Sequence, residues 1–441
     1  NMSKNSILII EKLRDVIFSK EIISDYRMKK QDFTRNRKQP FCRVILFMLN
    51  LLRKSMVIEI DNFLQHLNSK LNFQRVDNFT SSAFVQQRKK IKPEVFNYLS
   101  SIIIDNYYLK SNQNIKRFNS FRILAVDGSK ITLPYTEELK LFYGESKNQT
   151  DTSIVQGMAS VLYDVLNRLV LNSVLENVKT GERELALKHK PHWKQNDLII
   201  YDRGYPSYDF KNEHIKSGID YVIRVQKNHS KVVSSFILSK KKTLTVDIFP
   251  QERHVFTGKN YDKNTSLKVR LIRVDLPGGE IEILMTSLLD SQIYPASIFK
   301  ELYFLRWGIE TFYDELKNKL KVEYFTGYSK MSIEQDFFCA VFISNLQSVI
   351  VNDLEEELCL KNRNTKLDYK INTNLSYGFL KNRILELLCK EAPLEEIVKE
   401  LENLFLQNTI PIRLNRNNKR KVGKYKKRIR PVVLKNQKDA I

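Results

Sequence analysis

Two short apolar runs, each closing on an acid and then a turn, constrain the fold of this chain more than any other feature. Arg122-Ile-Leu-Ala-Val-Asp127-Gly-Ser and Asp197-Leu-Ile-Ile-Tyr-Asp202-Arg-Gly-Tyr both read as buried strands. An acid at or near the end of a core strand stands where the sites of α/β sheets gather. Two such carboxylates on neighbouring strands repel one another unless a cation lies between them. A hard divalent metal, held by carboxylates and water, meets that need. Alone the pattern is weak evidence, because a chain with 50 acids produces several such runs by chance.

A third segment adds weight. Tyr303, Arg306, Glu310 and Lys317 lie in Tyr-Phe-Leu-Arg-Trp-Gly-Ile-Glu-Thr-Phe-Tyr-Asp-Glu-Leu-Lys. On a regular helix they share a stripe about 60° wide. The stripe carries a phenol, a carboxylate and two cations. The plain reading is a charged helix face making weak surface pairs. With Asp127 and Asp202 upstream, the pattern suits a nucleic-acid enzyme, in which acids hold metal and cations hold phosphates. The acids are spaced 202 − 127 = 75 and 310 − 202 = 108 residues apart. The second gap is long for one strand and one helix, and a β-rich insertion accounts for the excess.

Charge points the same way. The 73 Lys and Arg exceed the 50 Asp and Glu by 23, which suggests a polyanionic partner, although such charge also serves solubility. The apolar run Val44–Leu52 is too short to span a bilayer. The N-terminus lacks a signal-peptide layout, so no membrane partner and an intracellular place are expected. Cys42, Cys339, Cys359 and Cys389 are far apart without CxxC spacing and read as reduced thiols. His189 and His192 are the one close His pair, and Pro191 between them argues against a regular ligand helix.

A chain of 441 residues suggests two or three domains. Residues 1–116 read as a helical, DNA-binding N-terminal region, with apolar periodicity over Ile7–Ile23, Pro40–Lys54, Val57–Leu67 and Ser81–Tyr108. Seven cations against one acid fill Arg27 to Arg43. Thr80 caps a segment whose Gln86, Gln87, Arg88 and Lys89 suit either a recognition helix facing DNA or a solvated face. Residues 117–345 read as a catalytic core: a mixed sheet covered by helices, with a hairpin at Asn167-Arg168. A β-strand insertion at 228–292, turning at Gly278-Gly279, interrupts it. One helix is expected over Ser297–Lys321 and another over Ile333–Glu357. Residues 346–441 form a helical C-terminal region whose tail, Arg413 to Arg430, has ten cations and no acid, as suits an arm on a phosphate backbone.

Asp127-Gly-Ser, Asp202-Arg-Gly-Tyr205 and Tyr303-(2)-Arg306-(3)-Glu310-(6)-Lys317 resemble the three signature blocks of the IS-four family of bacterial DDE transposases. The last block matches the Tyr-Arg-Glu-Lys signature at every spacing, and Glu323-Tyr-Phe-Thr-Gly327 resembles its usual continuation. The resemblance covers roughly residues 75 to 345 and implies an RNase H-like core. It implies that Asp127, Asp202 and Glu310 bind two Mg²⁺ ions, with Mn²⁺ as a substitute. One ion activates the nucleophile and the other stabilises the leaving oxygen. It further implies nicking of the transposon ends, a hairpin intermediate and joining of 3′-OH ends to target DNA, within a homodimer that pairs two double-stranded ends in the bacterial nucleoid. Tyr303 and Arg306 would hold phosphate beside a flipped base, and Lys317 would bind backbone near the cut. Arg203 and Tyr205 would shape the second block. Trp307 is a candidate to stack on the flipped base, or else a core residue.

Two other readings compete. A domesticated derivative that binds DNA without cutting has no need of three aligned acids. A stand-alone RNase H-like nuclease has no need of the basic tail or the Tyr-Arg-Glu-Lys block. A two-carboxylate glycosidase does not explain the charge, and no Arg/His/Tyr set of a tyrosine recombinase is present.

Overall fold

A computed structural model describes residues 4–35, 38–70, 78–109, 112–147, 153–251, 256–277, 279–363 and 365–412. The basic segment 413–430, Arg37 of the cationic stretch and Gly278 of the expected turn lie outside the described residues.

The first six elements are helices: α1 (Asn5–Ile17), α2 (Lys20–Tyr26), α3 (Phe41–Leu49), α4 (Met56–Lys70), α5 (Ser81–Arg88) and α6 (Glu94–Tyr107). Two of the expected helices are divided. Ser19 starts a new helix by accepting the Ile22 N–H at 3.3 Å. Pro93, which lacks the N–H that a helix interior uses, separates α5 from α6.

The sheet follows as β1 (Arg122–Thr132), α7 (Glu137–Tyr143), β2 (Glu145–Lys147), β3 (Ser153–Asp164), β4 (Leu169–Asn177), α8 (Glu182–Lys188), β5 (Asp197–Tyr201), α9 (Tyr208–Lys216) and β6 (Asp220–Val225). Then come α10 (Lys231–Leu238), β7 (Thr243–Ile248), β8 (Leu267–Asp275) and β9 (Ile281–Thr286). The spatial order is β2-β3-β1-β5-β6-β9-β8-β7, with β4 beside β3. β4, β3 and β1 are antiparallel neighbours, while β1, β5 and β6 run parallel. That mixed sheet with flanking helices is the RNase H-like arrangement. The insertion strands β7–β9 do not stand apart: β9 pairs antiparallel with β6 and extends the same sheet. The hairpin at Asn167-Arg168 is present. Asp164 Oδ1 accepts the Leu166 and Asn167 N–H groups, and Arg168 takes a φ of 57°.

Register is set at the closed end of the sheet. Arg122 opens β1 and Asp197 opens β5, directly opposite each other, joined by two buried hydrogen bonds of 2.8 Å. Asp127 lies 127 − 122 = 5 residues beyond this staple and Asp202 lies 202 − 197 = 5 beyond it. The pairing runs as far as Ala125 and Ile200, and each acid follows two residues later, at the same end of the sheet.

The remaining elements are α11 (Ile298–Phe304), α12 (Trp307–Asp314), a π-helical turn (Glu315–Lys319), α13 (Lys330–Asn352), α14 (Glu355–Asn362), β10 (Tyr369–Ile371), α15 (Thr373–Lys381), α16 (Ile384–Leu388), α17 (Leu394–Gln407) and β11 (Thr409–Pro411). α13 is the spine: 19 of its 23 residues are buried. Its Asn345 side chain bonds both backbone groups of Val170 on β4, and its Asn352 reaches Tyr107 of α6 and Asn167 of the hairpin. One continuous core joins the N-terminal helices, β1, β3 and β4, α12, α13 and the C-terminal helices. Among the described residues no single helix is long and apolar enough to cross a membrane; α13 and α14 together approach that composition but bend by 53°, and the apolar character of α13 is explained by its burial.

Candidate active site

Asp127 does not end its strand. β1 continues to Thr132 through pairing with β3, but its pairing with β5 stops at Ala125, so Asp127 stands where the two strands part. Asp202 follows the last residue of β5. Gly128 N–H donates to Asp127 Oδ1 at 2.8 Å. Burial pushes the Asp127 carboxyl up to about 6; the Gly128 bond and the Arg306 charge oppose the shift, and Glu182 and Asp202 add to it. Asp202 Oδ1 is buried and accepts no hydrogen bond, although Arg224 Nε lies 3.3 Å away at an ion-pair distance.

The helix that carries Glu310 is fixed to β1. Ile309, Phe312 and Tyr313 are buried, Phe312 stacks on Tyr163 at 4.9 Å, and the Tyr313 hydroxyl donates to the Asp127 carbonyl at 2.9 Å. The expected single helix over Ser297–Lys321 is corrected here. α11 ends at Phe304, the chain tightens through i→i+3 bonds around Arg306, and α12 passes into the π turn, closed by the Leu320 N–H to Glu315 carbonyl bond of 2.9 Å. The four residues therefore do not form one straight stripe. Tyr303 lies on α11, Arg306 at the junction, Glu310 on α12 and Lys317 in the π turn, where its ammonium donates to the Lys130 carbonyl of β1 at 2.7 Å.

Arg306 is the centre of this group. It is buried beneath the rings of Tyr303 and Trp307, with its guanidinium carbon 5.9 and 5.2 Å from their centroids. Its Nη2 donates to Glu310 Oε1 at 2.6 Å. Burial opposes its charge, and Tyr303, Glu310 and Asp202 more than restore it. Arg306 thus contacts Glu310, and its charge also acts on Asp127 and Asp202. Among the described residues no three His, Cys, Asp or Glu side chains converge into a group that could hold a metal. Physically, Glu310 is turned towards Arg306. Several polar atoms here have no hydrogen-bond partner despite burial: Asp202 Oδ1, Tyr205 Oη, Tyr303 Oη and Arg306 Nε. Such atoms are rare in folded proteins, and four of them gather here.

Other expected residues are placed differently. Arg203 is exposed on the turn after β5, whereas Tyr205 is buried. Trp307 is 49% exposed and so is no core residue; with Tyr303, Phe304, Val274 and Leu276 it lines a cleft of about 560 Å³. Lys89 is exposed at the end of α5. Arg88 does not face outward as a recognition residue would. It is 2% exposed, pairs with Asp336 at 2.8 Å, and also donates to Gln335, Thr326 and the Ser332 carbonyl, which ties α5 to α13. His189 is buried between Ser160 and Asn172 and serves packing. The sequence reading missed Arg224, which pairs with Asp202, and Glu182, which lies beside Gly128 and Gly204. Neither has a periodic or spacing signal.

The site thus combines an RNase H-like sheet, one acid within β1 where its pairing with β5 has ended, a second acid just after β5, and the Arg306–Glu310 pair. The chain belongs to the transposase DDE domain family, whose model matches residues 119–346, just over half of it. It is 25% identical over 234 residues to the transposase InsG for insertion sequence element IS4 of Escherichia coli (strain K12), a match covering 51% of each protein. The match therefore spans about half the length of that curated relative. A piggyBac transposase, solved by cryo-electron microscopy as a synaptic complex with hairpin DNA, superimposes with a TM-score of 0.40 at 11% identity, over 90% of this chain and 81% of that one.

Proposed function

We propose that the chain cuts the terminal inverted repeats of an insertion sequence in a divalent-metal-dependent reaction and joins the freed 3′-OH ends to target DNA. The observation that carries this reading is the placement of Asp127 on β1 and Asp202 just after β5 at one end of the sheet, with the charge of Arg306, itself bonded to Glu310, acting on both. Asp127, Asp202 and Glu310 would hold Mg²⁺, two ions by family resemblance, with Mn²⁺ as a substitute. The donor set suits a hard cation: oxygen ligands only, one of them a buried acceptor without a hydrogen bond. Bound there, such ions generate a nucleophile at neutral pH and stabilise the leaving oxygen.

The protein groups divide the remaining work. Arg306 neutralises the acids and holds Glu310 away from them. An incoming phosphate competes for the guanidinium, which releases Glu310 and completes the carboxylate set only once DNA is present. The free Arg306 Nε and Tyr303 hydroxyl are donors for that phosphate. The exposed Trp307 face offers a stacking surface to a base displaced during hairpin formation. Lys317, Arg203, Lys89 and the basic segment 413–430 supply backbone contacts, and a homodimer pairs two ends on the bacterial nucleoid. The test is cleavage of the element's own ends by purified protein in Mg²⁺. Asp127→Ala, Asp202→Ala and Glu310→Ala should each abolish cutting and retain end binding in a gel-shift assay. Normal cutting by any one variant removes that residue from the site.

A further inference from the structure

We propose that the turn after β6 and the start of α10 form a second DNA surface, which holds the target duplex during joining; this rests on the proposed function above. β6 runs parallel to β5 with Tyr201 opposite Ile223, and Arg224, one residue beyond that pair, lies 3.3 Å from Asp202. The chain leaves β6 at Val225, so residues 226–231 stand at the end of the sheet that carries Asp127 and Asp202. Only β5 lies between β1 and β6, which puts two strand spacings, about 10 Å, between them. A duplex bound at the acids can therefore reach this turn. The turn is well ordered by its own bonds. The His229 N–H donates to the Gln226 carbonyl at 3.0 Å, Ser230 accepts the Val233 N–H at 3.3 Å, and the Ser234 hydroxyl donates to the Lys227 carbonyl at 3.4 Å. It presents Lys227 and Lys231 to solvent, and neither side chain forms a hydrogen bond or ion pair among the described residues.

The packing of the sheet separates this surface from the groups assigned to the element's ends. Val233 and Phe236 of α10 pack with Leu271 of β8 and Ile283 of β9. Phe299 and Leu302 of α11 pack with Ile272 and Leu284, the next residues of the same two strands. Successive residues of a strand point to opposite faces, so α10 and α11 cover opposite faces of one sheet. Tyr303, also packed on the α11 face, belongs to the clamp for the transposon end. Lys227 and Lys231 belong to the other face, and the exposed Arg203, which follows Asp202, continues their charge towards the acids. Joining brings two DNA molecules to one pair of acids, and the fold offers cations for the second on the side that the first leaves open. Lysine contacts to phosphate carry no sequence information, which suits a partner whose sequence is not fixed. The plain alternative is that both lysines are solvated side chains that serve solubility, as many do in a chain of net charge +23. That role does not depend on their place beside the acids, and the two readings part in a joining assay.

The test uses the full chain in Mg²⁺ and compares two reactions: cutting of the element's ends, and joining of pre-cut ends to a supercoiled plasmid at limiting plasmid concentration. The double variant Lys227→Gln, Lys231→Gln should cut ends at the wild-type rate and join them several-fold more slowly, with the loss recovered as plasmid is raised. The slope of log joining rate against log salt should flatten by about two, one for each phosphate contact removed. Melting should match that of the wild type, and the double variant Lys227→Arg, Lys231→Arg, which keeps the charge, should join normally. A wild-type joining rate and salt slope in the Gln variant overturn the proposal and leave the proposed function standing. Equal loss of cutting and joining also overturns it, because the surface then serves the ends. Failure of the wild type to cut overturns the proposed function itself.

Discussion

Replacing Asp127 by Asn should make the protein more stable at neutral pH while removing its activity. Burial holds the Asp127 carboxyl near pH 6, against an ordinary value of 3.8. The folded state therefore binds this proton more tightly than the unfolded state does. Where a folded-state pKa is raised, stability is fully present below the unfolded value and is lost as pH rises through the folded one. The loss starts near pH 4 and is complete above pH 6. The difference between these two values corresponds to about 3 kcal/mol. Asn removes the titration and can still accept the Gly128 N–H. Urea unfolding in EDTA at pH 7.5 should place the variant about 2–3 kcal/mol above the wild type, and at pH 4 the difference should shrink to about 0.5 kcal/mol. Added Mg²⁺ should stabilise the wild type and leave the variant unchanged. An equal or lower stability of Asp127→Asn at pH 7.5, or a difference that persists at pH 4, would refute the claim that the fold holds this carboxylate against its ionisation.

Arg88→Met should cost roughly 3–5 kcal/mol in urea unfolding, because it strands the Asp336 carboxylate in the core; DNA affinity per folded molecule should not change. A measured loss of DNA affinity without loss of stability would return Arg88 to the DNA interface. Tyr303→Ala and Arg306→Ala should impair hairpin formation more than first-strand nicking in a time course on labelled ends. Equal loss of both steps would undo the division of labour assigned to them.

What the sequence made legible was local or strongly apolar. The runs ending at Asp127 and Asp202 are strands because five successive residues of β5, and those of β1 from Arg122 to Val126, are buried. The insertion was legible from its spacing, but its fusion to the edge at β6 was not, since pairing partners leave no mark in a single strand. The break in the helix over 297–321 was hidden for a related reason. The apolar positions Leu302, Ile309, Phe312 and Leu316 keep helical spacing, while the π turn accompanies a buried Glu315 that pairs with Arg168 at 2.9 Å, 147 residues earlier. π turns cluster at functional sites, and this one sets where Lys317 meets β1. Arg88 failed for the same reason: its polar character suggested a surface, and its partner Asp336 is 248 residues away.

The Arg122–Asp197 staple and the Tyr313 hydroxyl explain why the candidate site can tolerate poorly satisfied groups. The staple locks β1 and β5 at one end, and Tyr313 locks α12 to the Asp127 carbonyl at the other. Asp127 and Asp202 are thereby held in place chiefly by backbone and core contacts, with only the Gly128 N–H on Asp127 and the Arg224 ion pair on Asp202 as partners. Within this frame the Arg306–Glu310 pair has the most freedom to rearrange, because a single 2.6 Å hydrogen bond holds Glu310 and its side chain is 37% exposed. Under the proposed function, a rigid pair of acids with a releasable third would give a site whose metal affinity rises when phosphate is bound. The same linkage requires metal to strengthen DNA binding by the same factor, so the two affinities measured separately and together provide a closed thermodynamic check on the release of Glu310.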